Sequence, residues 1–137
     1  MNRQARGQAI VEFALVSPLL LLALVGIIAL GLVARTDGAI SAVASEAARA
    51  AALASTPSAA VAAGQARAGA VARGYGLGQV SVNVDTSAFR RGGQVVATAD
   101  YALVLYLPLL DATLKTVPFH RVGVEPIAPN RSFWPSS

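Results

Sequence analysis

The amino-terminal part of the chain contains a long, almost uncharged stretch, RGQAIVEFALVSPLLLLALVGIIALGLVA, at residues 6–34. Residues 13–34 carry no charged side chain. A helix needs about 20 apolar residues to cross the roughly 30 Å hydrocarbon core of a bilayer. The hydrophobic region of a cleaved secretory signal is shorter, about 7 to 15 residues. The stretch therefore predicts a membrane-spanning helix that stays attached to the rest of the chain.

The charges on either side of this stretch predict its orientation. Arg3 and Arg6 precede it, whereas Arg35 is followed closely by Asp37. Basic residues keep a flanking segment in the cytoplasm by the positive-inside rule. We therefore expect a single-pass protein of the cytoplasmic membrane, with its amino terminus inside and its carboxyl-terminal head outside.

The composition agrees with one membrane segment and a small head. The chain has 137 residues, of which 55% are hydrophobic and only 13% charged. Much of the apolar fraction is alanine, and the long aliphatic residues concentrate near the amino terminus. The formal net charge is +4, and the basic residues form no patch interleaved with aromatics. A nucleic-acid interface needs such a patch, so we expect no nucleic-acid partner. The absence of cysteine excludes disulfides and thiolate chemistry.

An alanine-rich segment, residues 35–74, follows the membrane stretch. Residues 38–55 continue the helical pattern, with Glu46 and Arg49 spaced to pair on its outer face. STPS then interrupts the pattern, because Thr56 suits a helix cap and Pro57 the first turn of a second helix. That helix is expected to end at the glycine-rich sequence GYGLG, residues 74–78.

Beyond this point the hydrophobic period changes from helical to alternating. QVSVNVD at 79–85 alternates valine with polar residues, which predicts a half-buried strand. A turn and a second strand at 95–107 would complete a hairpin. Residues 111–116, DATLKT, suggest a helical turn, and residues 119–127 a third strand. The proline-rich tail is expected to be irregular.

These segments together predict an α+β protein. A long amino-terminal transmembrane helix continues into an exported alanine-rich helical part and a small antiparallel β-sheet. We divide the chain into a cytoplasmic leader peptide (1–7), a transmembrane helix (8–34), a helical region (35–74), and a sheet region with an irregular tail (75–137).

Glu12 is the unusual residue of the apolar stretch. An ionised carboxylate in a membrane is costly, and such residues are usually paired and functional. The simpler interpretation is a side chain that reaches the cytoplasmic interface. The surrounding combination of residues is more specific. A basic leader ends at Gly7, Glu12 lies five positions after Gly7, and the aromatic Phe13 follows Glu12.

This combination, with ALVSPLLLL after it and SEAARAAA further on, resembles the class III signal of type IV pilins. It is most similar to TadE-like pseudopilins, minor components of the tight-adherence (Flp) pilus system. The resemblance implies that a prepilin peptidase cuts between Gly7 and Gln8. It also assigns Glu12 and Phe13 to subunit assembly.

The resemblance further implies a non-enzymatic structural subunit of an extracellular pilus. Its partners would be the prepilin peptidase, other pilin or pseudopilin subunits, the inner-membrane assembly platform and the lipid bilayer. The alternative is a single-pass membrane-anchored protein whose exported head binds a ligand or partner without pilus assembly. An exported hydrolase is a third class, but no catalytic constellation supports it.

Three other features were considered as sites. Pro18 lies inside the membrane helix, where it removes one backbone hydrogen bond and predicts a kink. His120 is the only histidine, and the carboxylates of the head lack metal-ligand spacing, so neither a metal nor another cofactor is expected. GYGLG follows a helix and precedes a strand, the reverse of a phosphate loop, and is interpreted as a helix stop.

Overall fold

A computed structural model of the protein describes residues 3–107 and 112–129, and its elements confirm the α+β class. The elements are α1 (Arg3–Ala52), α2 (Pro57–Gly74), β1 (Ser81–Asp85), β2 (Gln94–Leu107) and β3 (Ala112–Pro126). The chain divides into two units, the first ending at Ala34 and the second beginning at Arg35.

The first unit is the amino-terminal part of α1. Most of its large apolar side chains are exposed; Leu15, for example, is 75% accessible. Among the described residues, α1 is the one helix long and apolar enough to span a membrane, by length and composition. Membrane anchoring through this helix agrees with the sequence prediction.

The interruption between the two helices is also confirmed. The Thr56 hydroxyl accepts a hydrogen bond from the backbone N–H of Ala59 at 3.2 Å, and Pro57 occupies the first helical position of α2. Proline fits there because the missing N–H has no helical partner in any case. After α2, Gly76 adopts φ 69°, a left-handed conformation that glycine takes without strain. GYGLG is therefore a helix stop.

The three strands form one antiparallel sheet in the order β1-β2-β3. β2 and β3 make a long hairpin in which Ala97 faces Gly123 and Leu107 faces Ala112, with an irregularity at Leu105/Tyr106. The helical turn predicted at 111–116 is wrong, because residues 112–116 belong to β3. Leu105 pairs with Lys115 and Val104 with Thr116, and cross-strand pairing of this kind outweighs the weak local helical signal. Asp111 lies outside the described residues.

The core of the second unit is built largely from alanine. The buried residues of α1 recur at helical spacing and include Ile40, Val43, Ala44, Ala47, Ala48, Ala51 and Ala52. α2 contributes a small-residue face, Ala60, Gly64, Ala68 and Ala72. A Cβ added to Gly64 would lie 2.8 Å from Val84 Cγ2 and 3.1 Å from the Ala47 carbonyl oxygen. The helices and β1 therefore meet at a distance that requires glycine.

The sheet also packs on α1 through a glycine. A Cβ added to Gly123, in the middle of β3, would overlap the backbone of Ala44 and Ser45. Val84, Ala97 and Gly123 form one row across the three strands, and at Gly123 this row lies close to the backbone of α1. Small residues thus set the distance at which the layers pack.

Ion pairs of Glu46 and Asp37 connect α1 to other described elements of the second unit. Arg67 of α2 donates from Nε and Nη2 to Oε2 of Glu46, at 3.0 and 2.8 Å. Arg121 of β3 donates to Asp37. The pairing of Glu46 with Arg49 expected from their spacing is replaced by the contact with Arg67, which lies on the neighbouring helix.

Candidate functional site at the start of α1

The predicted site residues all lie in the first unit, on α1. Gly7 and Gln8 are within the helical backbone, which begins at Arg3. The peptide bond predicted to be cut is therefore part of a helical turn. Glycine destabilises a helix interior by about 1 kcal/mol relative to alanine, so this turn opens more easily than its neighbours.

Glu12 has one recorded polar contact. The side-chain amide of Gln8 donates to Oε1 of Glu12 at 3.4 Å, across one helical turn. This distance is long for an N–H···O hydrogen bond, whose usual range is about 2.7–3.2 Å. The structure thus brings together two of the predicted residues, Gln8 and Glu12, through a weak contact on an exposed surface.

Phe13 adjoins Glu12 and is 69% exposed. From Ile10 to Leu32 the large apolar side chains of the helix, apart from the half-buried Val25, are at least 42% accessible. Full burial of one large aliphatic side chain contributes about 1.5–3 kcal/mol. Such a surface is unstable in water and is suited to lipid or to other apolar helices.

Pro18 lies inside α1, which is continuous from Arg3 to Ala52. The secondary structure therefore accommodates the proline without ending the helix. The predicted kink stays a prediction, because continuity of the helix does not define a bend.

The structure also brings together a pair that the sequence analysis treated as unrelated residues. Asp100 of β2 faces His120 of β3, with Nδ1 and Oδ1 2.6 Å apart. Their side chains are 66% (His120) and 52% (Asp100) exposed. An exposed pair of this kind contributes little to stability. The register of the hairpin would have revealed this pair. The sequence prediction missed that register because it assigned residues 111–116 to a helical turn.

Clusters of three or more potential metal ligands do not occur in the part of the chain that the structure describes. The His120–Asp100 pair thus has no third ligand within that part. The described part of the head therefore shows no group of residues that resembles a metal centre, and the amino-terminal segment is the strongest candidate site.

Comparison with known proteins agrees with this location. A family model described as TadE-like protein matches residues 7–49. The matched segment begins at Gly7, which precedes the predicted cut, and ends three residues before the end of α1 at Ala52. No curated protein matches the chain. No solved structure matches it either.

The recognition made from the sequence is thus confirmed over the first part of the chain. The family indicates a pilin-like protein related to the Tad pilus, with other pilus components as its general partners. Over residues 7–49 the chain is similar to TadE-like proteins.

Proposed function

We propose that the chain is a structural subunit of a Tad pilus, processed by a prepilin peptidase between Gly7 and Gln8 and assembled through its first helix. The observation that carries this proposal is the family match, which starts at Gly7 and follows the exposed apolar surface of α1. We propose no enzymatic activity for the subunit. Its contribution is to pack against other pilin-like helices and to present the head outside the cytoplasmic membrane.

Processing would change the electrostatics of the start of α1. In a helix the N–H of residue i bonds to the carbonyl of residue i−4, so residues 8–11 use carbonyls of residues 4–7. Removal of residues 1–7 leaves the N–H groups of residues 9–11 without intrahelical partners and converts the amide nitrogen of Gln8 into a free α-amine. The new amino terminus is therefore more positive than the uncut helix at the same place.

Glu12 is placed to respond to this change. Side chains on a helix lean toward its amino terminus, so the Glu12 carboxylate approaches the newly freed N–H groups. Within one subunit this attraction is worth about 0.3–1 kcal/mol. Insertion scales assign about 2.5–3.5 kcal/mol to a charge at the centre of a membrane helix. Glu12 lies nearer the interface and costs less, and a neighbouring subunit's α-amine offsets the remainder when helices pack.

Gln8 imposes a condition on this pairing. An amino-terminal glutamine can cyclise, and the product has lost the basic amine. An α-amine has a pKa of about 7.7–8.0 and is mostly charged at neutral pH, provided that it is not cyclised. Methylation of the amine, or rapid pairing with a Glu12 carboxylate, preserves the charge that assembly requires.

Replacement of Glu12 tests the assembly step. Glu12→Gln keeps nearly the same shape but removes the charge, so we expect normal insertion and cleavage with loss of co-purification with other pilin subunits. Glu46→Gln, the same chemical change on the same helix, is the matched control and should co-purify as wild type. If Glu12→Gln co-purifies as efficiently as Glu46→Gln, pairing through the carboxylate is not what assembles the subunit.

Orientation is tested separately with a single cysteine. The natural chain has none, so Ser87→Cys carries one thiol, at an exposed position of the head. We expect an impermeant thiol reagent to label it in intact spheroplasts. Labelling only after lysis would reverse the assignment. The alternative function, a membrane-anchored binding protein without pilus assembly, predicts the same labelling but no effect of Glu12→Gln on association with pilins.

A further inference from the structure

A groove runs between α2 and the free edge of the sheet. β1 is a terminal strand of the order β1-β2-β3, so within residues 3–107 and 112–129 one of its edges has no neighbouring strand. The groove has a volume of about 630 Å³, and its apolar wall includes Ala68 and Ala72 of α2 together with Val80 and Val82. An exposed edge strand is a common binding site for a peptide that adds a strand to the sheet.

One end of this groove is positively charged. Arg73 lines it, and a Cβ added to Gly69, one turn earlier on α2, would lie 3.4 Å from Nη1 of Arg73. The guanidinium therefore lies over the surface of α2 that faces the groove. Among the described residues that line it there is no acidic side chain, and Arg73 carries the one formal charge.

Backbone donors lie at the same end. Gly78 and Gln79 connect the cap of α2 to β1 and line the groove. Within the described part of the chain, their N–H groups are engaged by none of the recorded backbone hydrogen bonds. Arg73 and these N–H groups together form a set of hydrogen-bond donors at the beginning of β1. Such a set suits a carboxylate.

The direction of β1 specifies which carboxylate fits. A chain added antiparallel to β1 runs from Asp85 toward Ser81, so its carboxyl end arrives beside Gly78 and Arg73. We propose that this groove binds the extended carboxyl-terminal segment of a different protein. The backbone of that segment pairs with β1, its alternate side chains pack on the small residues of α2, and its α-carboxylate meets Arg73.

The negative end of α2 opposes an anion at this place, but its carbonyls are already satisfied. The N–H groups of Tyr75, Gly76 and Leu77 donate to carbonyls of Val71, Arg73 and Ala72 at 2.9–3.1 Å. The helix-dipole contribution is about 0.3–1 kcal/mol at exposed termini. The full charge of Arg73 acts in the opposite sense at the same location. The net field at the groove therefore favours the carboxylate.

The test uses the full chain in detergent micelles, labelled for amide NMR. The probe is the peptide acetyl-Thr-Val-Thr-Val-Thr-Val with a free carboxylate, compared with the same peptide ending in a carboxamide. We expect the carboxylate form to shift the amide signals of residues 78–82 and to bind about fivefold more tightly, as for an exposed charge pair. Arg73→Gln should abolish this difference, whereas Arg49→Gln, an exposed arginine elsewhere in the unit, should retain it.

A second variant separates loss of the groove from loss of the fold. Gly69→Leu adds bulk in the groove and places a better helix former in α2, so it should prevent binding of both peptides without loss of helix content by circular dichroism. The proposal is wrong if the carboxylate peptide fails to shift residues 78–82 at about 1 mM, or binds no more tightly than the carboxamide. It is also wrong if raising the protein concentration alone produces the shifts, since a second copy would then occupy the groove. None of these outcomes depends on processing or pilus assembly.

Discussion

The two parts of α1 share a helical backbone but differ in what their side chains meet. Before Ala34, large aliphatic residues such as Leu15 and Leu30 are exposed, at 75% and 72%. After Arg35, Ile40 and Val43 are fully buried and most of the other buried positions are alanine. The large apolar side chains of α1 are thus mostly exposed in the first unit, whereas Ile40 and Val43 of the second unit are buried.

This difference shows that hydrophobicity alone does not define a core. The first unit has the larger apolar side chains, but its surface is satisfied only by lipid or other helices. Each alanine of the second unit buries little apolar surface, so the stability of this unit depends on close packing between its layers. Gly64 and Gly123 permit that approach. We therefore expect the largest losses of stability in the second unit where an added methyl group would separate the packed layers.

Gly123→Ala should have the largest effect on the second unit. The added Cβ would overlap the backbone of Ala44 and Ser45, which a rotamer change cannot relieve. We expect a loss of about 3 kcal/mol in the free energy of unfolding, measured by denaturant titration in detergent. Gly38→Ala is the control, because nothing lies within 4 Å of its added Cβ and alanine favours the helix by about 0.5–1 kcal/mol. Equal stability of the two variants would show that the sheet does not pack on α1 as described.

Gly64→Ala should destabilise the same unit less. Its Cβ would lie 2.8 Å from Val84 Cγ2, a side-chain atom that can move, and alanine improves the propensity of α2. We expect a net loss of about 1–2 kcal/mol. Combining it with Val84→Ala removes the clashing methyl group, so the double variant should be about 1 kcal/mol more stable than additivity predicts. Strict additivity would mean that the strand does not limit the approach of α2.

The ion pair between α1 and α2 should contribute less again. The side chains of Arg67 and Glu46 are 53% and 34% exposed, so solvent screens their attraction. A double-mutant cycle with Glu46→Gln and Arg67→Gln should give a coupling of about 0.2–1 kcal/mol. The corresponding cycle with Arg49→Gln should give a coupling near zero, because the structure pairs Glu46 with Arg67. A larger coupling for Glu46 with Arg49 than with Arg67 would contradict the structure and support the pairing expected from sequence spacing.

Asp85 should give the smallest effect, visible chiefly as a pH dependence. The backbone N–H of Ser87 donates to Oδ1 of Asp85 at 2.8 Å, and this bond, assisted by the Ser87 hydroxyl, lowers the pKa of the carboxyl below its ordinary value of 3.8. The contribution to stability is present above the unfolded-state pKa and is lost as the pH falls through the lower folded-state pKa. An NMR titration should show that Ser87→Ala retains most of the shift, because the backbone donor remains.

Much of the fold was predictable because its signals are local. The uncharged run at 13–34, the cap at Thr56 and Pro57, and the alternating valines of β1 each depend on residues close in sequence. The family match over residues 7–49 was predictable for the same reason, since Gly7, Glu12 and Phe13 lie within seven positions and carry the resemblance.

The features that were missed depend on contacts distant in sequence. The start of β3 at Ala112 depends on pairing with β2, and the same register brings Asp100 to His120. The partner of Glu46 is 21 residues away on another helix, and Gly123 meets a helix about 80 residues earlier. Periodicity reports which face of an element is apolar, but it carries no information about which element covers that face.

The mature amino terminus tests the central claim most directly. Intact-mass measurement of the membrane-purified chain should give a protein that begins at Gln8, whose formal side-chain charge is +2 rather than +4 because Arg3 and Arg6 are lost. Gly7→Leu should retain the leader, since a bulky side chain then occupies the residue before the cut. A wild-type chain that retains Met1, or one that begins beyond Val33, would contradict the assignment of the first unit as a processed pilin helix.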